Sequence, residues 1–331
     1  MAGDTRFYRD KHVLVTGGLG FLGSTLATAL VRKQARVTLV DGLLPLYGGN
    51  VFNIEPIRKR VAVTIADIRD EAAMDQLVRD QDVIFHIAAQ TSHVDSIARP
   101  LEDLDMNARG TLILLEACRQ QNPTAKLVYI GTRAEYGCAQ YLPVDEAHPL
   151  EPIDIYGVHK VAGEWYHRIY HRLHRLPVVC VRLGNTYGPR HQMKHPKYGI
   201  LNWFIRLALE GKRISLYGGG QQQRDYLYVD DAVDALLRIG ALRQAKGQAY
   251  NLGSGESRSL RDLVKLIIKI VGRGSYRVMP WPSERRGIET GDFQTDIRKA
   301  RQELGWAPTT LLEEGLHRTV TFYRRYRRHY W

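Results

Sequence analysis

The sequence predicts an α/β fold built on a doubly wound parallel sheet, and three features carry that expectation. A short apolar run at 12–15 leads into glycines at 17, 20 and 23, followed by helical spacing of Leu26, Ala27, Leu30 and Val31. Further strand-like runs recur at 35–40, 61–65, 83–87 and 126–130, with helix-length segments between them. The chain of 331 residues suits one large α/β unit with an appended lobe. Right-handed crossovers would bring the C-terminal strand ends to one edge, where ligands of such sheets sit.

The first element is the turn Thr16 to Gly23. Gly17 permits a tight turn, Gly20 lets backbone approach a phosphate, and Gly23 lets the helix pack closely on its strand. Phe21 and Leu22 complete the loop, whose spacing is G-x-x-G-x-x-G. The second strand ends on Asp41, about 20 residues past the glycines, where a carboxylate would bond a ribose 2′-hydroxyl and repel a 2′-phosphate. NAD is therefore expected in preference to NADP. The third strand ends at Asp67 and Ile68, suited to an adenine edge and ring, and the fourth at Ala88, Ala89 and Gln90, small enough for a flat cofactor to lie close.

A helix is expected over 101–120, stopped at Asn122-Pro123, and a fifth strand over 126–130 runs into Thr132. The long helix expected over 154–175 opens with Tyr156 and Lys160, four apart and so on one face. A neighbouring ammonium and the positive nicotinamide of an oxidised cofactor would both favour phenolate, lowering the tyrosine pKa toward use as a base. After a strand at 177–182 and a polar turn through Asn185 and Arg190, the alternation loosens. A smaller C-terminal lobe interleaved with the last sheet strands is expected there, giving units at 1–183 and 184–331.

Composition excludes several classes. No apolar run approaches the roughly 20 residues that span a bilayer, and the first eleven residues are polar, so no membrane partner and a cytoplasmic location are expected. Cys118, Cys138 and Cys180 have neither metal nor redox spacing and are expected reduced. The formal charge of +12 predicts attraction to anions. Its excess at 167–175 and 324–329 reads as solvated helix faces, with nucleic acid not expected as a partner. His167, His171 and His174 lack a neighbouring carboxylate or thiol ligand, so no metal is expected. Ser92, His93 and Asp95 are too closely spaced for a hydrolase triad and read as polar contacts of a substrate loop.

Taken in order, Thr16 to Gly23, Asp41, Asp67-Ile68, 86–89, Thr132 with Tyr136-Gly137, Tyr156 to Lys160, Asn185 to Arg190, Arg224 to Tyr226 and Arg286 to Glu289 resemble the extended short-chain dehydrogenase/reductase superfamily, in its nucleotide-sugar epimerase and dehydratase branch. The resemblance spans nearly the whole chain and implies a Rossmann-type domain that binds NAD through Gly17, Gly20, Phe21, Leu22, Gly23, Asp41, Asp67, Ile68, Ala88, Ala89, Gln90, Asn107, Tyr156 and Lys160. It implies Tyr156 as acid/base, with Lys160 on the nicotinamide ribose and Thr132 on the sugar oxygen. It places a nucleotide-diphosphate sugar against Ser92, Arg133, Asn185, Arg190, Arg224 and Arg286, and implies a homodimer through the helices at 101–120 and 154–175.

Departures from the family pattern narrow the reaction. The family's 4,6-dehydratases follow the threonine with an Asp-Glu pair, where this chain has Arg133 and Ala134, so dehydration is disfavoured. Glu135 lies one residue beyond the position used by uronate decarboxylases, which keeps decarboxylation open alongside 2-epimerisation and ketosugar reduction. The leading expectation is inversion at C4 through a 4-keto sugar, and Arg133 could hold a uronate carboxylate. A non-catalytic NAD-sensing protein is the alternative from another class.

Overall fold

The computed structural model describes residues 6–45, 47–282, 287 and 289–331. In chain order the strands are β1 His12–Thr16, β2 Arg36–Asp41, β3 Val61–Ile65, β4 Val83–His86, β5 Lys126–Thr132, β6 Val178–Leu183, β7 Asn185–Tyr187, β8 Arg213–Tyr217, β9 Gln223–Tyr228, β10 Ala249–Leu252, β11 Ser257–Ser259 and β12 Ser275–Met279. The helices used below are α1 Phe21–Arg32, α2 Glu71–Leu77, α3 His93–Ala98, α4 Pro100–Asp103, α5 Gly110–Gln121, α6 Ile155–His174, α7 Ile200–Leu209, α8 Val229–Ala241, α9 Leu260–Val271, α10 Arg298–Leu304 and α11 Leu312–Tyr326.

Seven strands form one parallel sheet in the order β10-β6-β5-β4-β1-β2-β3. The chain runs outward from β1 through β3 and then returns to β4 on the other side of β1. That reversal opens a crevice above β1 and β4, where Thr16 stands opposite His86. Strand side chains alternate faces, so Val13 and Val15 enter one core layer with α1 and α8, while Leu14 enters the other with α5. Both faces of the sheet are therefore covered, as a parallel sheet requires.

The helix expected over 101–120 is instead α4, a π-helical turn Leu104–Arg109, and α5 in series. The 3.6-residue period does not reveal a π insertion, which adds one residue to a turn. Asn185, expected in a turn, lies in β7, which pairs with β9 in a three-stranded sheet completed by β11. Strand β12 carries little apolar alternation and was not expected; it pairs with β8 beside α7 and α9. From the C-terminal half, β10 adds to the main sheet beside β6 and α8 packs beneath it.

Arg324, Arg325, Arg327 and Arg328 are exposed, as a solvated face requires, while the aromatic residues beside them pack inward. His329 stacks on Phe52 with centroids 3.6 Å apart, and the Tyr330 hydroxyl donates to Asn53 Oδ1 at 2.7 Å. His167, expected on a solvated face, is fully buried, its Nδ1 donating to Gly163 O at 2.8 Å and its ring stacking on Tyr129 at 4.5 Å. Among the described residues no cluster suits a metal ion, no helix is long and apolar enough to cross a membrane, and the three cysteines are free.

Gly137 ends the short helical turn after Thr132 with φ 66° and ψ −131°, a conformation open to glycine alone. A Cβ there would stand 1.9 Å from Glu151 O. Gly137→Ala is expected to destabilise the protein by about 2–3 kcal/mol, read as a lowered midpoint in urea unfolding.

Candidate active site

The crevice above β1 and β4 opens into a cleft of about 910 Å³ that continues between the sheet edge and the C-terminal lobe. Its floor is the glycine turn. Gly17 has φ +67°, and a Cβ on it would lie 3.0 Å from both Ala88 N and Ala88 Cα, so the turn can press against the end of β4 only as glycine. A Cβ on Gly23 would lie 2.2 Å from Gly17 O, which explains the third glycine by packing. Thr16 secures the contact, its hydroxyl accepting from Ile87 N at 3.1 Å and Ala88 N at 3.0 Å.

The start of α1 suits an anion. It has no capping side chain and no acidic residue in its first turn, so its first amides face the cleft unneutralised. At the rim, Asp41 Oδ2 accepts from Leu19 N at 3.0 Å and Oδ1 from Leu43 N at 2.9 Å. Each oxygen keeps acceptor capacity for a ribose hydroxyl. Burial raises the Asp41 pKa, with the two backbone bonds opposing. Asp67 is held by Arg69 in a forked pair at 2.8 and 2.7 Å, which keeps its carboxyl below the usual range. The glycine turn, the two acidic strand ends and the small residues Ala88 and Ala89 thus fit a dinucleotide.

The structure brings most of the expected residues to this one cleft. Gly17, Gly20, Phe21, Leu22, Gly23, Asp41, Asp67, Ile68, Ala88, Ala89, Thr132, Arg133, Tyr156, Lys160, Asn185 and Arg224 all line it. Gln90, Ser92, Asn107 and Arg190 do not. Gln90 and Asn107 bond each other through side chain and backbone, and both donate to Asp103 Oδ2, at 2.6 and 3.1 Å. That network braces the loop behind Ala88 and Ala89. Ser92 is fully buried as the N-cap of α3, its hydroxyl accepting from Asp95 N at 3.0 Å. Arg190 turns away to donate to Asn53 O at 3.2 Å. Arg286 lies outside the described residues.

Helix α6 brings Tyr156 and Lys160 to the cleft. Asp154 caps it, accepting from Gly157 N at 2.7 Å, and the other carboxylate oxygen meets His93 Nδ1 at 2.5 Å. The His93 ring stands edge-on to Tyr156 at 5.2 Å, so cap and ring together hold the phenol. Tyr156 and Lys160 are 6% and 4% exposed. Lys160 Nζ donates to Ile130 O at 2.7 Å and lies over the Tyr129 ring at 4.4 Å. Burial lowers its pKa to about 8, against the opposing pull of Glu135 and Asp103.

Among the protein's own groups, burial is the largest effect on the Tyr156 pKa. Burial raises Tyr156, and the hydrogen bond from Thr132 offsets only part of it. A desolvated phenol resists ionisation unless positive charge faces its oxygen.

Glu135 faces the core. Its Oε1 accepts from Thr132 N at 2.8 Å in a capping box, and it is fully buried against Glu164 and Arg182. Burial first, then the neighbouring Glu164 carboxylate, push its pKa well up, while Arg182 holds Glu164 below the ordinary value through bonds of 2.9 and 2.7 Å. Beside Thr132 the cleft wall is instead Arg133, whose Nε donates to Asn185 Oδ1 at 2.9 Å and whose NH1 donates to Thr290 Oγ1 at 3.1 Å. Arg224 is paired with Glu289. Sequence reasoning missed the aromatic end of the cleft, where Tyr217 and Trp281 pack at 5.8 Å, since β12 gave no periodic signal leading to Trp281.

A family profile described as GDP-mannose 4,6 dehydratase matches residues 14–319. The UDP-glucose 4-epimerase of Mycolicibacterium smegmatis is 35% identical over 316 residues, covering 94% of this chain and 98% of that one. The chain belongs to the nucleotide-sugar epimerase and dehydratase family. Solved structures of family members agree. An epimerase from Methanothermobacter thermautotrophicus superposes with a TM-score of 0.92 at 28% identity, covering 98% of this chain and 95% of the other. The dTDP-glucose 4,6-dehydratase of Streptomyces venezuelae, solved with NAD bound, gives 0.87 at 29% identity, covering 96% and 98%. These family members are extended short-chain dehydrogenases/reductases, and their chemistry divides between the two activities.

The depressed Lys160 makes a stability prediction. Between its folded value near 8 and the ordinary value of 10.5, the unfolded chain binds more protons, so stability rises with pH across that window. Measured against Lys160→Met, the wild type should gain stability from pH 8 toward 10.5 and show its full deficit below 8. A flat difference in chemical denaturation across that range would contradict the assignment.

Proposed function

We propose that the protein is an NAD-dependent nucleotide-sugar epimerase that inverts C4 of the hexose or uronate through a transient 4-keto sugar. The observation that carries this reading is the wall beside Thr132. There the acid and base needed to expel water are replaced by Arg133 and Ala134, while Glu135 is turned into the core. The same burial of Glu135 argues against decarboxylation, because that carboxylate has no access to a sugar.

NAD would lie on the glycine turn with its ribose on Asp41, where a 2′-phosphate would be repelled. Bound NAD supplies the hydride acceptor and then the donor. The chain supplies the proton chemistry. Thr132 holds Tyr156 by its hydroxyl, and both face the cleft where the C4 hydroxyl would sit. Tyr156 takes the hydroxyl proton as the carbon becomes trigonal and returns it afterwards. Lys160, clamped by Ile130 O, keeps positive charge on the same helix face and so offsets the cost of the phenolate. Turning the ketosugar over before reduction inverts the centre. Asn185 and Arg224 would meet the diphosphate, Arg224 exchanging Glu289 for phosphate oxygens.

Incubation of NAD-loaded protein with UDP, dTDP, GDP and CDP hexoses and uronates should yield an epimer of unchanged mass. Tyr156→Phe should lower kcat by about 10²–10⁴-fold. A product lighter by about 18 mass units would show water loss and overturn the epimerase reading in favour of a dehydratase.

The protein is also read as a homodimer through α6 and the segment before α5. Val158, Trp165, Ile169 and Leu173 are exposed on α6 at spacings of seven and four, beside exposed Leu101 and Leu104. Sedimentation at micromolar concentration should give twice the chain mass, and Trp165→Glu should shift it toward the monomer.

A further inference from the structure

The cleft contains a cation and a hydroxyl that the epimerase chemistry does not use. Arg133 follows Thr132 directly, so its side chain leaves the backbone within one residue of the group that holds Tyr156. A guanidinium has five N–H donors, and its hydrogen bonds here go to the neutral oxygens of Asn185 and Thr290. No ion pair among the described residues includes Arg133. The nearby carboxylate of Glu289 is held by Arg224 instead.

This unneutralised position is electrostatically costly. Burial, followed by the neighbouring Arg224, lowers the Arg133 pKa to about 10, with the Glu289 and Asp154 carboxylates opposing. A desolvated cation beside a second cation calls for an anion. The second, independent observation is Tyr226. Its side chain is 5% exposed and lines the same cleft, and its hydroxyl is buried without a hydrogen-bond partner. It lies in the field of both Arg224 and Arg133. A buried hydroxyl with nothing to bond is uncommon in a folded protein, and one facing a cleft is explained by a ligand atom.

We propose that Arg133 and the Tyr226 hydroxyl form a carboxylate pocket beside the reacting sugar, so that the preferred substrate is a nucleotide-linked uronic acid. This rests on the nucleotide-sugar reading above. The remaining N–H groups of Arg133 match the two coplanar oxygens of a carboxylate, and Tyr226 donates to one of them. A neutral hydroxymethyl group in the same place would leave the guanidinium without its counter-charge. The diphosphate is the competing anion, and the two sources differ in what they predict. A diphosphate contact is common to every nucleotide sugar, whereas a carboxylate contact separates uronate from hexose.

The test compares glucose and glucuronic acid conjugates of UDP, dTDP, GDP and CDP on NAD-loaded protein, with kcat/KM from epimer formation and Kd from calorimetry. The variants are Arg133→Gln, Arg133→Lys and Tyr226→Phe, each checked for folding by circular dichroism. On whichever base is accepted, the uronate should exceed the hexose by at least about tenfold in kcat/KM. Arg133→Gln and Arg133→Lys should each cost the uronate about 10–100-fold more than the hexose, and Tyr226→Phe should do so by a smaller factor. If Arg133→Gln does not fold, the lysine and phenylalanine variants carry the comparison. Hexose preference in the wild type, or equal losses on both sugars, overturns the carboxylate pocket and leaves the nucleotide-sugar reading standing. Absence of turnover and binding on every conjugate removes that reading and the pocket with it.

Discussion

The placement of Tyr156 and Lys160 depends on how closely α6 can approach β5. The contact is made at Gly163, where a Cβ would lie 2.3 Å from the Tyr129 hydroxyl, and that hydroxyl donates to Lys160 O at 3.0 Å. One residue type on the helix and one aromatic on the strand therefore set the height of the helix over the sheet. Tyr156 and Lys160 inherit that height. The ammonium then finds Ile130 O on the same strand, and Thr132 at the strand's end finds Tyr156. A bulkier residue at 163 would lift both side chains together.

The cost of this arrangement is desolvation. Tyr156, Lys160, Glu135 and Glu164 sit in one buried region, and each charged form is penalised there. Arg182 offsets part of the cost by holding Glu164 in a fork, with its NH1 also donating to the Tyr136 hydroxyl at 2.9 Å. Tyr136 in turn donates to Asn251 Oδ1 at 2.6 Å, on the last strand of the sheet. The polar core behind Tyr156 and Lys160 is thus tied into β6 and β10, so this end of the cleft is braced by the strand returning from the C-terminal half. The cleft side is left to Arg133 and Arg224, which gives the net positive charge a local use.

Much of the site was legible because its logic is local. The glycine spacing followed by helical periodicity, Asp41 at a strand end, and Tyr156 four residues before Lys160 are statements about one turn, one strand and one helix face. For Gln90, Ser92, Asn107 and Arg190 the side-chain partners were not legible in the same way. Each sits within a few residues of a cleft-lining position, yet its side chain was claimed by a bond to Asp103, to the α3 amides or to Asn53. A short polar side chain near a ligand loop has several partners to choose from, and sequence spacing does not rank them. An i, i+4 ammonium is likewise a local signal, whereas burial, the protein's largest effect on Tyr156, depends on everything packed around the ring.

The sequence by itself determined the strand and helix alternation, the glycine turn and the shared helix face of Tyr156 and Lys160, because hydrophobic period, glycine freedom and helix geometry act over a few residues. Tertiary structure alone decided which way Glu135 points, that Tyr226 has a buried hydroxyl with no partner, and that Arg133 meets Asn185 and Thr290 rather than a carboxylate. Those facts depend on distances between segments up to 157 residues apart in the chain. Burial and pairing are properties of such distances, and no local pattern records them.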